Sequence, residues 1–309
     1  MPAHSREKSG LVAFRSCPIP DRLSGGGQGA LGYSGLVHAG SLDDGPFDRA
    51  LRRLRRGRAA ADGGTGDYLI RHMADELIER LDLVTRPFRD ALLLGPGTYL
   101  AEHLRARGLA VTVSDADEDL LPFAEPAFDL AVSIGSLDTV NDLPGALIQI
   151  RRVLRPDGLF LAAFVGAGSL KRLRRAMRAA EEAEQVAPSP RIHPQIDVRA
   201  AGDLLTRAGF ALPVADCETV SVRYTAFRTL IADLRAMGAT NLLAARDRRP
   251  FGRVGLAAAT ADFEEGGGTV EWFEIVHLAG WAPGPDQPRP AARGSGSVSL
   301  ADALKRNGG

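Results

Sequence analysis

The chain has 309 residues, 45% of them hydrophobic, which is enough for one large domain or two small ones around a sizeable core. Lys plus Arg and Asp plus Glu both number 38, so the formal net charge is zero and no global field points to nucleic acid or an anionic membrane. Cys17 and Cys217 are the only cysteines, too few for a disulfide framework or a thiolate metal site, which fits a reducing compartment; no apolar run approaches the ~20 residues of a membrane span.

Residues 1–44, with SGGGQGALGYSGLVHAGS at 24–41, read as a disordered or leader segment. FDRALRRLRRGRAAA at 47–61 is written in good helix formers and predicts a basic helix with a narrow apolar stripe of Leu51 and Leu54. Its arginines could meet an acidic partner or RNA. Without interleaved aromatics, the favoured reading is a solvated face whose apolar stripe docks on the core. Leu69, Met73, Leu77, Ile78 and Leu81 recur at helical spacing, so 67–84 is a helix, ended by Pro87 before a strand at 90–94.

That strand runs into LLLGPGTYLAEHL at 92–104. Gly95 and Gly97 suit a turn that brings the backbone close to a ligand, and the helix at 99–107 would aim its N-terminus there. A short strand at 111–113 follows, then Asp115, at the spacing from Gly97 where nucleotide folds place a ribose-binding acid. The alternative, equally open, is that Asp115, Asp117, Glu118 and Asp119 solvate a tight turn. FDLAVSI at 128–134 is a buried strand, Asn141 or Asp142 caps the next helix with Pro144 in its first turn, and Pro156-Asp157-Gly158 turns into a strand at 159–164. Further helices are expected at 169–185, 198–210 and 226–237, with strands at 211–224 and within 269–283, before a Pro/Gly/Ser-rich extended tail at 284–309. Among His4, His38, His72, His103, His193 and His277 no metal-ligand spacing is visible, so no metal site is expected.

The order of these elements, together with FDRAL at 47–51, LPF at 121–123, VNDLPGAL at 140–147, LRPDG at 154–158, RAGF at 207–210, MGATN at 237–241 and GWAP at 280–283, resembles the class I S-adenosylmethionine-dependent methyltransferases. The finer likeness is to the biotin-synthesis-like methyltransferases and the mitochondrial complex I assembly methyltransferase-like proteins, over roughly residues 45–304. The resemblance implies an α/β, Rossmann-like doubly wound sheet with an antiparallel last strand, in a domain at 45–283: N-terminal helices (45–89), a cofactor-binding half (90–165), then lid helices and remaining strands (166–283). It implies S-adenosylmethionine as cofactor, with Gly95 and Gly97 beside its methionine and ribose, Asp115 on the ribose and Asp117 facing the adenine amino group. The catalytic residue is not legible, because methyl transfer needs alignment more than acid–base groups. The implied activity is methyl transfer to a small acid thioester or a protein side chain. The alternative is a non-catalytic or hydroxylase-type assembly factor acting on a respiratory-chain subunit. The expected location is cytoplasmic, or the mitochondrial matrix if eukaryotic.

This chain also departs from the family pattern. Leu93 stands at the usual acidic position, Tyr99 replaces the third glycine and adds a side chain beside the turn, and Asp138-Thr139 replaces the His-Trp of near relatives. The text from Val113 to Leu121 is too short for the family's next helix and third strand, so that edge strand is expected to be missing.

Overall fold

The structure, a computed structural model, describes residues 45–61, 67–123, 126–265, 269–285 and 287, and the backbone of 11–14. In chain order these form β1 (Leu11–Phe14), α1 (Arg49–Ala61), α2 (Tyr68–Asp82), β2 (Asp90–Leu94), α3 (Thr98–Ala106), β3 (Ala110–Ser114), β4 (Phe128–Ile134), α4 (Leu143–Val153), β5 (Leu154–Val165), α5 (Lys171–Ala183), α6 (Val198–Arg207), β6 (Ala211–Arg223), α7 (Phe227–Ala236), α8 (Arg253–Glu264) and β7 (Val270–Trp281). The rest of the expected leader and most of the tail lie outside the described residues.

One sheet carries all the strands, in the order β1-β6-β7-β5-β4-β2-β3. β3, β2, β4 and β5 are parallel, whereas β7 runs antiparallel between β5 and β6. This is the Rossmann-like methyltransferase sheet with its antiparallel last strand. Among the described residues no strand lies beyond β3, as the short text predicts. Residues 115–127 already have to carry the chain from β3 past β2 to β4, and a parallel crossover takes a dozen or more residues. No length remains for another strand and helix.

The strands are apolar on both faces, as a doubly covered sheet requires. Leu93, Leu130, Val132, Ile134, Leu161 and Ala163 face one layer, which receives α2, α3, α5, α7 and α8. Leu92, Leu94, Ala131, Phe160, Ala162 and Phe164 face the other, covered by α4 and α6. Asp142 caps α4, its Oδ1 accepting from the Gly145 amide at 2.9 Å. Asn141 instead ties down the chain before α1, accepting from the Phe47 amide at 2.7 Å and donating to its carbonyl at 3.0 Å. α5 lacks a capping side chain of its own. The buried Glu271 of β7 takes that role across the fold, accepting from the amides of Arg172 (3.3 Å) and Leu173 (2.8 Å).

Several details depart from the sequence reading. α8 is not predicted: its Ala-rich text carries too few large apolar residues for a periodic signal, and Phe263 supplies its anchor in the core. Pro156-Asp157-Gly158 does not precede β5 but lies inside it, with Asp157 at φ 61° and a register shift against β4. Leu11–Phe14, within the segment expected to lack structure, pairs antiparallel with Phe14 opposite Thr219 of β6.

Candidate functional site

From β2 the chain continues to β3 on one side, and β4 then lies on the other side of β2, so the β2/β4 boundary is the topological switch point where open α/β sheets bind ligands. Two glycines bend the backbone there. Gly95, after β2, has φ 94°, and a Cβ on it would lie 2.1 Å from the Ile134 carbonyl oxygen. Gly135, after β4, has φ 55°, and a Cβ would lie 2.7 Å from Ile70 Cδ1. Gly97 follows as the N-cap of α3, packed on Leu93 and Ile134, and no side chain caps that helix. The first-turn amides of α3 therefore face the turn without a side-chain acceptor of their own.

Leu93 is 0% exposed and belongs to the core. Tyr99 does not crowd the turn: its hydroxyl donates to Asp75 Oδ1 of α2 at 2.8 Å, and its ring lies under the Arg71 guanidinium at 5.0 Å. The third-glycine substitution is thus turned onto α2.

The acidic turn after β3 is gripped by α1. Arg49, Arg52, Arg53 and Arg56 recur at three- and four-residue spacing and form one face of the helix. Arg49 holds Asp119 through two bonds of 2.7 Å and reaches Asp117 at 3.1 Å. Arg52 holds Glu118 through bonds of 2.7 and 2.8 Å, and also donates to the Ser136 carbonyl (2.9 Å) and Thr139 Oγ1 (3.2 Å). Arg53 reaches Asp117 at 3.0 Å. Arg52 and Glu118 are 4% and 1% exposed, so this is a desolvated, forked ion pair. The expected apolar docking of α1 is corrected accordingly. Leu51 packs on a small cluster with Phe47, Leu242 and Leu243, but Leu54 is exposed, and the arginine face makes the principal attachment. Asp117, expected at the adenine, faces three guanidinium groups of α1. Asp115 is exposed at the carboxyl end of β3, with no ion pair or hydrogen bond among the described residues.

Beside the glycine bends a cleft opens, about 690 Å³ including its mouth, between α1, α2, the end of α7 and the loop carrying His193. Its walls are largely apolar, with Leu69, Met73, Met237 and Phe273, and its charged groups are Arg56, Asp138 and His193. Burial pulls the Arg56 guanidinium down to about 10, since its nearest acid, Glu118, is 3.7 Å away. His193 Nε2 is 3.6 Å from Asp138 Oδ2, within ion-pair range but outside hydrogen-bond reach, and is buried without a hydrogen-bond partner among the described residues. Neither Asp138 nor His193 is readable as a pair in the sequence, because a sheet crossing and two helices separate them. The spacing of the α1 arginines was the legible signal for the clamp.

A second constellation lies between α2, β6 and β7. Glu218 Oε1 sits 2.9 Å from His72 Nε2 and 3.1 Å from His277 Nε2. Burial pushes the Glu218 carboxyl up, but the hydrogen bonds and positive charge of the two histidines outweigh it and hold it at about 2; the bond to Glu218 in turn raises His72. Two histidines and a carboxylate thus meet where linear spacing suggested no such group.

Residues 96–162 match the methyltransferase domain family. The chain is 35% identical to the mitochondrial arginine hydroxylase NDUFAF5 of Mus musculus, covering 96% of each chain. It is 31% identical to the malonyl-[acyl-carrier protein] O-methyltransferase of Laribacter hongkongensis, over 80% of this chain and 91% of the relative. Among solved structures it is similar to an S-adenosylmethionine-dependent methyltransferase of Thermotoga maritima, at 15% identity and a TM-score of 0.39, over 74% of this chain and 99% of that one. The chain belongs to the class I S-adenosylmethionine-dependent methyltransferases, in the group that holds the NDUFAF5 and malonyl-[acyl-carrier protein] O-methyltransferase relatives.

Proposed function

We propose that the chain binds S-adenosylmethionine at the β2/β4 switch point and directs its methyl group to an acceptor held in the adjoining cleft. The observation that carries this reading is the state of Asp115. Of the four acids in the turn after β3, three are taken by α1, and Asp115 alone is left exposed without a partner among the described residues. A carboxylate at that strand end is suited to accept from ribose hydroxyls, while Gly95, Gly97 and the uncapped α3 suit the methionine end. These residues fit the ribose and methionine portions of the cofactor. When bound, the cofactor supplies a methyl group on a sulfonium, and the protein's part is to align the acceptor and exclude water.

The cleft supplies that alignment. Its apolar walls desolvate an acceptor, and Arg56, whose nearest acid is only at 3.7 Å, is placed to pair with an acidic group. Asp138 and His193 border the same space. This supports a small acid thioester or a protein side chain as acceptor. Titration calorimetry with S-adenosylmethionine tests the reading: binding is expected, weakened at least tenfold by Asp115→Ala. No heat at millimolar cofactor would overturn it.

A second reading is favoured by the α1 clamp, which occupies Asp117, and by a 35% identical relative named as an arginine hydroxylase. In that reading the chain is an assembly factor acting on a respiratory-chain subunit, without methyl transfer, in the mitochondrial matrix if the source is eukaryotic and otherwise in the cytoplasm. No helix among the described residues is long and apolar enough to cross a membrane. Co-purification of a respiratory subunit by a chain that binds no S-adenosylmethionine would support it.

A further inference from the structure

We infer that His72, Glu76 and Glu218 form a divalent-cation site between α2 and β6, with His277 of β7 as an adjoining fourth group, and that the ion pins α2 to the antiparallel half of the sheet. One ligand atom from each of the first three lies within 4.8 Å of the others. At metal–ligand distances of about 2.0–2.2 Å, neighbouring ligand atoms stand roughly 3–4 Å apart, so the cluster needs only a small contraction to enclose an ion. His72 Nε2 and Glu218 Oε1, at 2.9 Å, already have the separation of two adjacent ligands.

The elements position these groups independently of one another. His72 and Glu76 are one turn apart on α2 and share a face, so a single helix presents an imidazole and a carboxylate together. Glu218 and His277 come from neighbouring strands whose register places Glu218 opposite Ile275 and His277 opposite Asp216, which sets both side chains on the face that α2 covers. The sheet buries Glu218 and His277, while His72 and Glu76 are half-buried, leaving the cluster desolvated yet reachable from α2. As it stands two imidazoles converge on one carboxylate oxygen, Glu218 Oε1, so the groups already gather around a common point.

The donor set selects the class of ion. Two carboxylates and one or two imidazoles, without thiolate, suit a first-row divalent transition ion such as Zn²⁺, Fe²⁺, Co²⁺ or Mn²⁺. They do not suit Ca²⁺, which wants an all-oxygen shell, or Cu(I), which wants soft sulfur. The site lies outside the cleft residues and does not depend on the methyltransferase reading.

The test uses the full chain, stripped with chelator and titrated with Co²⁺, following visible d–d absorption and the thermal midpoint. One Co²⁺ per chain is expected, with affinity reduced at least tenfold in Glu218→Gln and in His72→Ala, unchanged in His103→Ala, and a midpoint raised by the metal in the wild type. Absence of saturable binding by the wild type at millimolar Co²⁺ overturns the inference. So does equal affinity in the Glu218 and His72 variants. Should Glu218→Gln fail to fold, Glu76→Gln, at a half-buried helical position, decides the question by the same criterion.

Discussion

Removing the Arg52 side chain separates the buried part of the α1 clamp from its exposed part. In Arg52→Ala, Glu118 keeps its burial, at 1% exposure, but loses the guanidinium that holds both carboxylate oxygens, and the Ser136 carbonyl and Thr139 hydroxyl lose a donor. Arg56, at 3.7 Å from Glu118, is too distant to replace the forked bonds. Breaking a buried ion pair from one side costs about 3–5 kcal/mol, because the remaining charge is stranded. Arg53 touches the same turn through Asp117, yet its side chain is 54% exposed. Its removal is expected to cost under about 1 kcal/mol, most of which salt would screen. The assay is urea unfolding of Arg52→Ala, Arg53→Ala, Glu118→Ala and the Arg52/Glu118 double variant, in low and high salt. The double variant should be far more stable than the sum of the singles implies, since both halves of the pair leave together. A loss below about 1 kcal/mol for Arg52→Ala, or additive losses, would refute the desolvated-pair reasoning.

Glu271→Ala should cost about 2 kcal/mol in the same unfolding assay, because it leaves the Arg172 and Leu173 amides at the start of α5 without an acceptor. Gly95→Ala should reduce stability by about 3 kcal/mol or abolish folded expression, since φ 94° is strained for alanine and the Cβ would meet the Ile134 carbonyl; thermal melting decides. Tyr99→Gly should cost about 1–2 kcal/mol, from the lost Asp75 bond and the added helical glycine, and leave S-adenosylmethionine affinity within twofold by calorimetry, because the ring faces α2 and not the turn. Leu93→Asp should destabilise by about 3 kcal/mol or more in denaturant titration, as it buries a carboxylate in the core.

The sequence alone determined the order of most elements, because period-2 and period-3.6 patterns are local properties of the text. Asp90–Leu94 and Phe128–Ile134 were legible to the residue, and Asp142 as the α4 cap was one of two candidates. The glycine turn at Gly95–Gly97, the position of Asp115 after β3 and the lack, among the described residues, of a strand beyond β3 were legible for the same reason, as consequences of spacing. α8 was hidden because alanine is helical without being strongly apolar, so its pattern has little contrast. What only the tertiary structure decided is which charges meet. The α1 arginines looked like a solvated face, but the fold sets them against Asp117, Glu118 and Asp119, and so distinguishes Asp115 from its neighbours. His72, Glu218 and His277, and likewise Asp138 and His193, come together only through sheet register and helix docking. Pairing over such separations leaves no periodic trace in the chain, because charges interact through space while local pattern is written along the backbone.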